Sequence, residues 1–518
     1  MALLKSSLTV GGFTMASRTL GFVRDMLIAA VLGAGPVADA FVVAFRFPNL
    51  FRNLAAEGAF SAAFVPLYSR ALEERGPEAA QRFAGEVLAA LLSALFLFTL
   101  AAMASMPWLM AVIAPGFVAE PEKYQLAVVL TRITFPYLLC MALAALLGGM
   151  LNTHYRFAAA AVSPILLNVT LIAALLLPKS WSATPGHALA WAVTLAGVGQ
   201  FLWLAWSAAR QGLLPAMPRP RWTPDLKRLT KLMVPGAVGA GVVQINIVVG
   251  TMIASLLPTG AVASLYYADR MYQLPLGVIG TAIGTVLLPE LARKLRAGDE
   301  AGAAQSQNRA LEFALLLTLP AAVALAAIAH PIVVVLFQHG AFTAAAARVT
   351  AKALAAFALG LPAYVIVKSL APAFFAREDT TTPVHAAIAA VISNVILSLL
   401  LIGLLGPMGI ALATSLAAWI NVVMLVRALR QHGHFQTDAG FRKRVPRIAI
   451  ASALMAVALL LATQALAGPL RGGLALKVLS LAALVGGGIA LYGALALALG
   501  AVEPVTLRRL LNRHKKTV

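Results

Sequence analysis

Apolar runs close to the length of a bilayer crossing recur from one end of the chain to the other, separated by short polar stretches. In order, they predict membrane-spanning helices near 8–32, 37–66, 86–114, 124–149, 158–177, 187–209, 232–257, 262–289, 311–337, 346–374, 383–405, 408–430, 446–467 and 474–500. No stretch between them is long enough for a soluble domain. The expected fold class is an all-α polytopic membrane protein with about fourteen transmembrane helices.

Composition agrees with that pattern. Of 518 residues, 61% are hydrophobic and only 11% charged, against roughly 45–50% apolar in a soluble domain, and the mean hydropathy is +0.88. A net charge of +21 would suggest nucleic acid in a soluble protein. Here the basic residues cluster at Arg70 to Arg82, Arg210 to Lys231, Arg293 to Arg309, Arg427 to Arg447 and Arg508 to Lys516, while loops such as LGAGPVA, LLPTGAV and LLGPMGI carry none. That alternation is the positive-inside pattern, so the charge reports topology, no nucleic-acid partner is expected, and both termini should be cytoplasmic. The single Cys140 reads as a packed thiol. Residues 1–32 lack the uninterrupted apolar region and cleavage site of a signal peptide, so the segment should stay in the mature protein.

The chain also repeats itself at an offset of about 225 residues, with IAAVLGAGPVADAF (28–41) aligning on IASLLPTGAVASLY (253–266). Pro107 then pairs with Pro331, Pro136 with Pro362 and Asn168 with Asn394. Two pseudo-symmetric six-helix lobes are implied, 1–215 and 216–440, followed by appended helices and a basic tail over 441–518. An even number of spans per half puts the pseudo-twofold along the membrane normal, with a site expected where the halves meet.

Ionisable groups inside the spans carry the functional signal. Insertion costs about +2.5 to +3.5 kcal/mol for each central Arg or Asp, so Arg18, Arg24 and Asp25 make the first span a poor lipid-facing helix. At 100° per residue, Gly11, Thr14, Arg18, Gly21 and Asp25 form one stripe, with Ser17 and Arg24 beside it. In the second span Asp39, Arg46, Asn53, Glu57 and Ser61 fall on one side, and Pro48 is expected to bend the helix and swing Arg52 inward. In SLYYADRMYQLP, Tyr266, Arg270 and Gln273 share a face, with Asp269 adjacent. The expected cationic set is Arg18, Arg24, Arg52 and Arg270, and the expected carboxylates are Asp25, Asp39, Glu57 and Asp269. Arg46, Arg132 and Lys368 are weaker candidates, able to reach an interface or satisfy a local group.

A surplus of guanidinium over carboxylate calls for an anion, and the planar Arg fork suits a diphosphate. Catalytic motifs are absent: there is no Walker sequence, no HExxH and no His or Cys pattern at ligand spacing within a span. Neither enzymatic activity, nor a cofactor, nor a metal is expected.

SRTLGFVRD (17–25), FPNLFRNLAAEGAFSAAFVP (47–66) and YYADRMYQLP (266–275) resemble the signature segments of the MurJ (MviN) lipid II flippases, in the MOP superfamily with the MATE transporters. The resemblance implies a two-lobe MATE-like core in the bacterial inner membrane that moves lipid II from the cytoplasmic to the periplasmic leaflet. Lipid II, membrane lipids and the cell-wall synthesis machinery are the partners it implies. Residues required in that family match Arg18, Arg24, Asp39, Arg52, Glu57 and Arg270. The last two helices resemble a pair that grooves the undecaprenyl tail. One departure is Gln273, where many relatives carry a carboxylate. Another is the second lobe, which offers Asn246, Asn394, Ser398 and Thr414 but no obvious acid for a sodium site.

The mechanism expected is alternating access, with the membrane potential able to act on mobile cavity charge. Rival readings are a flippase for another polyprenyl-linked glycan, a MATE-type drug exporter, which the arginine surplus disfavours, and a polyprenyl-dependent glycosyltransferase, which lacks its catalytic acid.

Overall fold

The computed structural model describes residues 2–52 and 60–502, with side chains except those of residues 2–8, 179, 237–240, 242, 243, 278 and 281–286. Asn53 and Glu57, and the basic tail after 502, lie outside the described residues. The described residues form helices joined by loops, without strands among them.

Its contacts divide it into two compact units, Met1–Ala263 with His339–Thr343, and Ser264–Gln338 with Ala344–Val518. The first contains α1 (Ala2–Leu32), α2 (Pro36–Phe51), α3 (Phe60–Arg75), α4 (Pro77–Ala104), α5 (Met106–Ile113), α6 (Pro121–Thr134), α7 (Tyr137–Thr153), α8 (Phe157–Leu176), α9 (Pro185–Ala209) and α10 (Pro224–Ser255). The first residues of α11 (Ala261–Arg296) belong to it too; the rest of α11 opens the second unit. There follow α12 (Glu300–Ala327), α13 (Ala329–Phe337), α14 (Ala344–Ala358), α15 (Leu361–Phe375), α16 (Thr381–Leu405), α17 (Pro407–Gln431), α18 (Ala439–Ala465) and α19 (Leu474–Ala498).

Local chemistry sets the helix starts. Proline follows glycine at the first position of α2, α4 and α17, where its missing amide costs no hydrogen bond. Thr223, Asp299 and Asp438 accept from backbone amides of the first turns of α10, α12 and α18. Packing then sorts the faces. In the first unit Phe60, Phe64 and Tyr68 of α3 meet Phe83 of α4 and Leu147 and Met150 of α7, with the Phe64 and Phe83 rings 5.7 Å apart. In the second, Leu311 and Leu315 of α12 pack with Leu370 and Phe374 of α15 and Leu425 of α17.

Among the described residues, ten helices or helix pairs are long and apolar enough to cross a membrane. The other expected spans, 8–32, 37–66, 232–257 and 262–289, are not among them, and three of these carry the ionisable groups. Several single spans become two helices. The expected 86–114 ends as α4 at Ala104 and resumes as α5, and 311–337 breaks at Ile328 between α12 and α13. The expected 124–149 parts at Phe135–Pro136, and 346–374 at Leu359–Gly360 ahead of Pro362. The breaks fall at repeat-related positions beside Pro107 and Pro331, and Pro136 and Pro362, where a proline withholds the amide that would continue the ladder.

Candidate functional site

The charges of α1 take two different roles. Arg24 is 8% exposed and Asp25 3%. Arg24 Nε and Nη2 donate to Asp25 Oδ1 at 2.9 and 2.7 Å, and Nη1 donates to Asn168 Oδ1 of α8 at 2.9 Å. Successive helical residues point about 100° apart, so the long arginine must wrap around α1 to meet its neighbour's carboxylate. Asn168 also donates from Nδ2 to the Ser17 carbonyl at 2.9 Å, and its amide lies over Gly21. The result is a seam between α1 and α8 in which one arginine, one acid and one amide satisfy each other.

Arg18, six residues earlier on the same helix, is exposed and makes no ion pair or hydrogen bond among the described residues. It lines a cavity of about 260 Å³ between α1 and α8, with Thr14, Ser17, Asn152 and Pro164 on its walls. A guanidinium unneutralised by protein in a helix of membrane length is the arrangement an anionic ligand requires.

Asp39, 1% exposed in the first turn of α2, accepts from the Gly260 amide at 2.7 Å and the Ala263 amide at 2.9 Å. These are orphan donors at the start of α11, and a carboxylate there also meets the positive end of the helix dipole. Lys123 of α6, 3% exposed, lies 3.9 Å from Asp39. It donates to Glu120 Oε1 at 2.6 Å and Thr259 Oγ1 at 2.9 Å, with its ammonium 4.5 Å from the Phe117 ring centroid. Close backbone approach completes this clasp. Gly260, at φ +95°, has no Cβ to strike the Ala34 carbonyl, which would lie 2.4 Å away, and the Ala341 amide donates to the Ala30 carbonyl at 2.7 Å. Farther along α2, Arg46 donates to Thr251 Oγ1 at 3.5 Å, and half-buried Arg52 caps the helix with its amide on Pro48 and Asn49.

The Glu120 carboxyl is held below its ordinary value of 4.5, first by the Lys123 hydrogen bond and then by Thr259. A carboxyl depressed in the folded state lends stability that is present above its unfolded pKa and lost as pH falls through the folded one. We expect the melting-temperature difference between wild type and Glu120→Gln to be constant above about pH 5 and to shrink below pH 4.5. A difference that ignored pH would show that the Glu120–Lys123 pair contributes nothing.

In the second unit, Gln273 donates to Asp269 Oδ2 and accepts from Arg270 Nη1 at 3.5 Å, while Arg270 lies 4.8 Å from the Tyr266 ring centroid. The residue that departs from the family pattern therefore bridges the expected acid and the expected cation. Lys368 of α15 lies over Gly280 of α11, whose bare Cα accommodates its alkyl chain. Arg132 is engaged locally through one donor, its Nε bonding the Met103 carbonyl at 2.9 Å. No group of three or more His, Cys, Asp or Glu gathers among the described residues to hold a metal.

Two residues at these sites were missed in the sequence. Asn168 had served only as a repeat landmark, although an amide in an apolar run was a signal in itself. Lys123, in the polar entry to a span, gave no signal beyond an ordinary interfacial lysine.

The model of the family "Lipid II flippase MurJ" matches residues 28–479. A probable lipid II flippase MurJ of Rhizobium meliloti (strain 1021) is 46% identical over 99% of this chain and 97% of its own. The lipid II flippase MurJ of Burkholderia cenocepacia is 36% identical over 85% of this chain and 86% of its own. Among solved structures, an inward closed conformation of lipid II flippase MurJ aligns with a TM-score of 0.78 at 26% identity, covering 97% of this chain and 100% of that one. An inward-facing MATE family multidrug transporter shares the fold, with a TM-score of 0.69 at 15% identity over 82% of this chain and 97% of that one. The chain is thus a multi-pass membrane protein that belongs to the MurJ lipid II flippase family.

Proposed function

We propose that this protein translocates lipid II from the cytoplasmic to the periplasmic leaflet by alternating access. The observation that carries the reading is Arg18, exposed in a cavity of membrane-length helices with no protein anion on it. Arg18, Arg24, Arg52 and Arg270 are assigned to the diphosphate, Arg24 after exchange of the carboxylate it now holds. Asp25, Asp39, Glu57 and Asp269 are assigned to gating, by competing with substrate for guanidinium groups or by holding helix ends.

Fourteen spans, lobes at 1–215 and 216–440, appended helices from 441 and cytoplasmic termini complete the reading. On this topology the clasp of Asp39, Lys123 and Gly260, all within the first unit, lies toward the periplasm. An inside-negative potential acting on mobile cavity charge would assist the return step, at about 2.3 kcal/mol per charge per 100 mV.

The test is rescue of cells depleted of their own lipid II flippase. The wild-type gene should restore growth and periplasmic access of lipid II, and Arg18→Gln should not. Failure of the wild type, when expressed and folded, would remove the assignment.

A further inference from the structure

A second basic cavity, away from the groups discussed so far, lies where the end of α3 meets the start of α10. It encloses about 180 Å³ and is walled by Arg70, Glu74 and Arg75 of α3 and by Asp225 and Arg228 of α10, with Leu67 and Phe83 along its apolar edge. We propose that it binds the phosphate of an anionic lipid headgroup.

The ion pairs at its rim orient the arginines without using them up. Arg70 meets Glu74 through Nε alone, at 2.7 Å, and Arg75 meets Asp225 through Nη1 alone, at 2.8 Å. Each guanidinium has five N–H donors, so most donors on both remain available on a fork whose direction an acid has fixed. Arg228 is exposed and has no ion pair or hydrogen bond among the described residues, so the cavity carries three cations against two acids. α10 begins at Pro224 with Thr223 capping it, which adds the positive end of a 32-residue helix to the same place.

Phe83, 3% exposed, is packed into the first unit's core and Leu67 is half-buried, so the arginines supply the cavity's chemistry and its placement in the chain selects the source of the phosphate. Arg70 and Arg228 also come from two of the basic clusters expected on the cytoplasmic side, where the leaflet is anionic and one basic residue near it contributes about 1 kcal/mol.

The test is native mass spectrometry of the purified full chain in detergent, titrated with short-chain phosphatidylglycerol or the matching phosphatidylcholine, alone and with excess inorganic phosphate. Phosphatidylglycerol should bind in preference to phosphatidylcholine. Arg228→Gln should weaken it about fivefold, one basic residue's worth, and Arg70→Gln with Arg228→Gln should weaken it further. Because Arg228 touches no partner, its variant should melt with the wild type, which separates lost binding from lost folding. Displacement by inorganic phosphate would overturn the lipid assignment and give the site to a soluble anion. Equal phosphatidylglycerol affinity in wild type and both variants would overturn it. Binding in detergent is independent of transport, so this result and the rescue experiment fail separately.

Discussion

Asp39→Ala should abolish rescue of flippase-depleted cells and destabilise the purified protein by about 3–5 kcal/mol, the cost of removing one partner from a buried charged cluster. Two amides at the start of α11 would lose their acceptor, each bond to a charged group contributing about 1.5–3 kcal/mol. Lys123 would keep Glu120 but lose the second carboxylate that compensates its burial. Asp39→Asn should fall between the two proteins, since its amide oxygen can still accept while its NH₂ faces donors. Thermal unfolding of the three proteins beside the growth assay checks this. An alanine variant as stable as wild type would mean that the carboxylate does not hold the clasp, and full rescue by it would remove the clasp from the transport cycle.

Much of this architecture could be read from the chain, because lipid imposes a simple rule on every crossing. Runs such as 158–177 and 474–500 emerged as α8 and α19 with small changes at their ends. The breaks did not emerge, because an apolar run stays apolar whether or not the backbone turns within it. Length held the unused clue: residues 86–114 as one helix would span over 40 Å at about 1.5 Å per residue, well beyond a hydrocarbon core of about 30 Å. The pairing of Pro136 with Pro362 was visible too, but not that each ends a helix.

At the site, periodicity placed side chains on faces and could not say what those faces meet. Asp39 and Arg46, seven apart, do share a side of α2, toward Gly260 and Thr251. That Asp39 would hold a helix start with Lys123 beside it depends on residues far away in sequence. Nor could charge counting separate Arg24 from Arg18. Both were ionisable groups in one span, but one reaches an acid and an amide and the other faces open volume.

That difference predicts opposite outcomes for the same substitution one turn and a half apart. In Arg24→Lys a single ammonium replaces a fork that bonds Asp25 twice and Asn168 once, and cannot hold both partners in the same geometry. A loss of about 2–4 kcal/mol in stability should follow, from the forfeited bonds and a buried Asp25 left poorly compensated. Asn168→Ala should reproduce part of it, since the α1–α8 seam loses its amide from the other side. Arg18→Lys forfeits no internal bond, so melting should be unchanged, while transport measured in reconstituted vesicles should fall about tenfold or more as bidentate contact with a phosphate is lost. Rescue should then fail in the first variant with less folded protein and in the second with a normal amount. If Arg18→Lys destabilised the fold as much as Arg24→Lys, or Arg24→Lys left it intact, the two arginines would not divide structure and ligand binding between them. The first result would give Arg18 to the seam as well, and the second would release Arg24 from it.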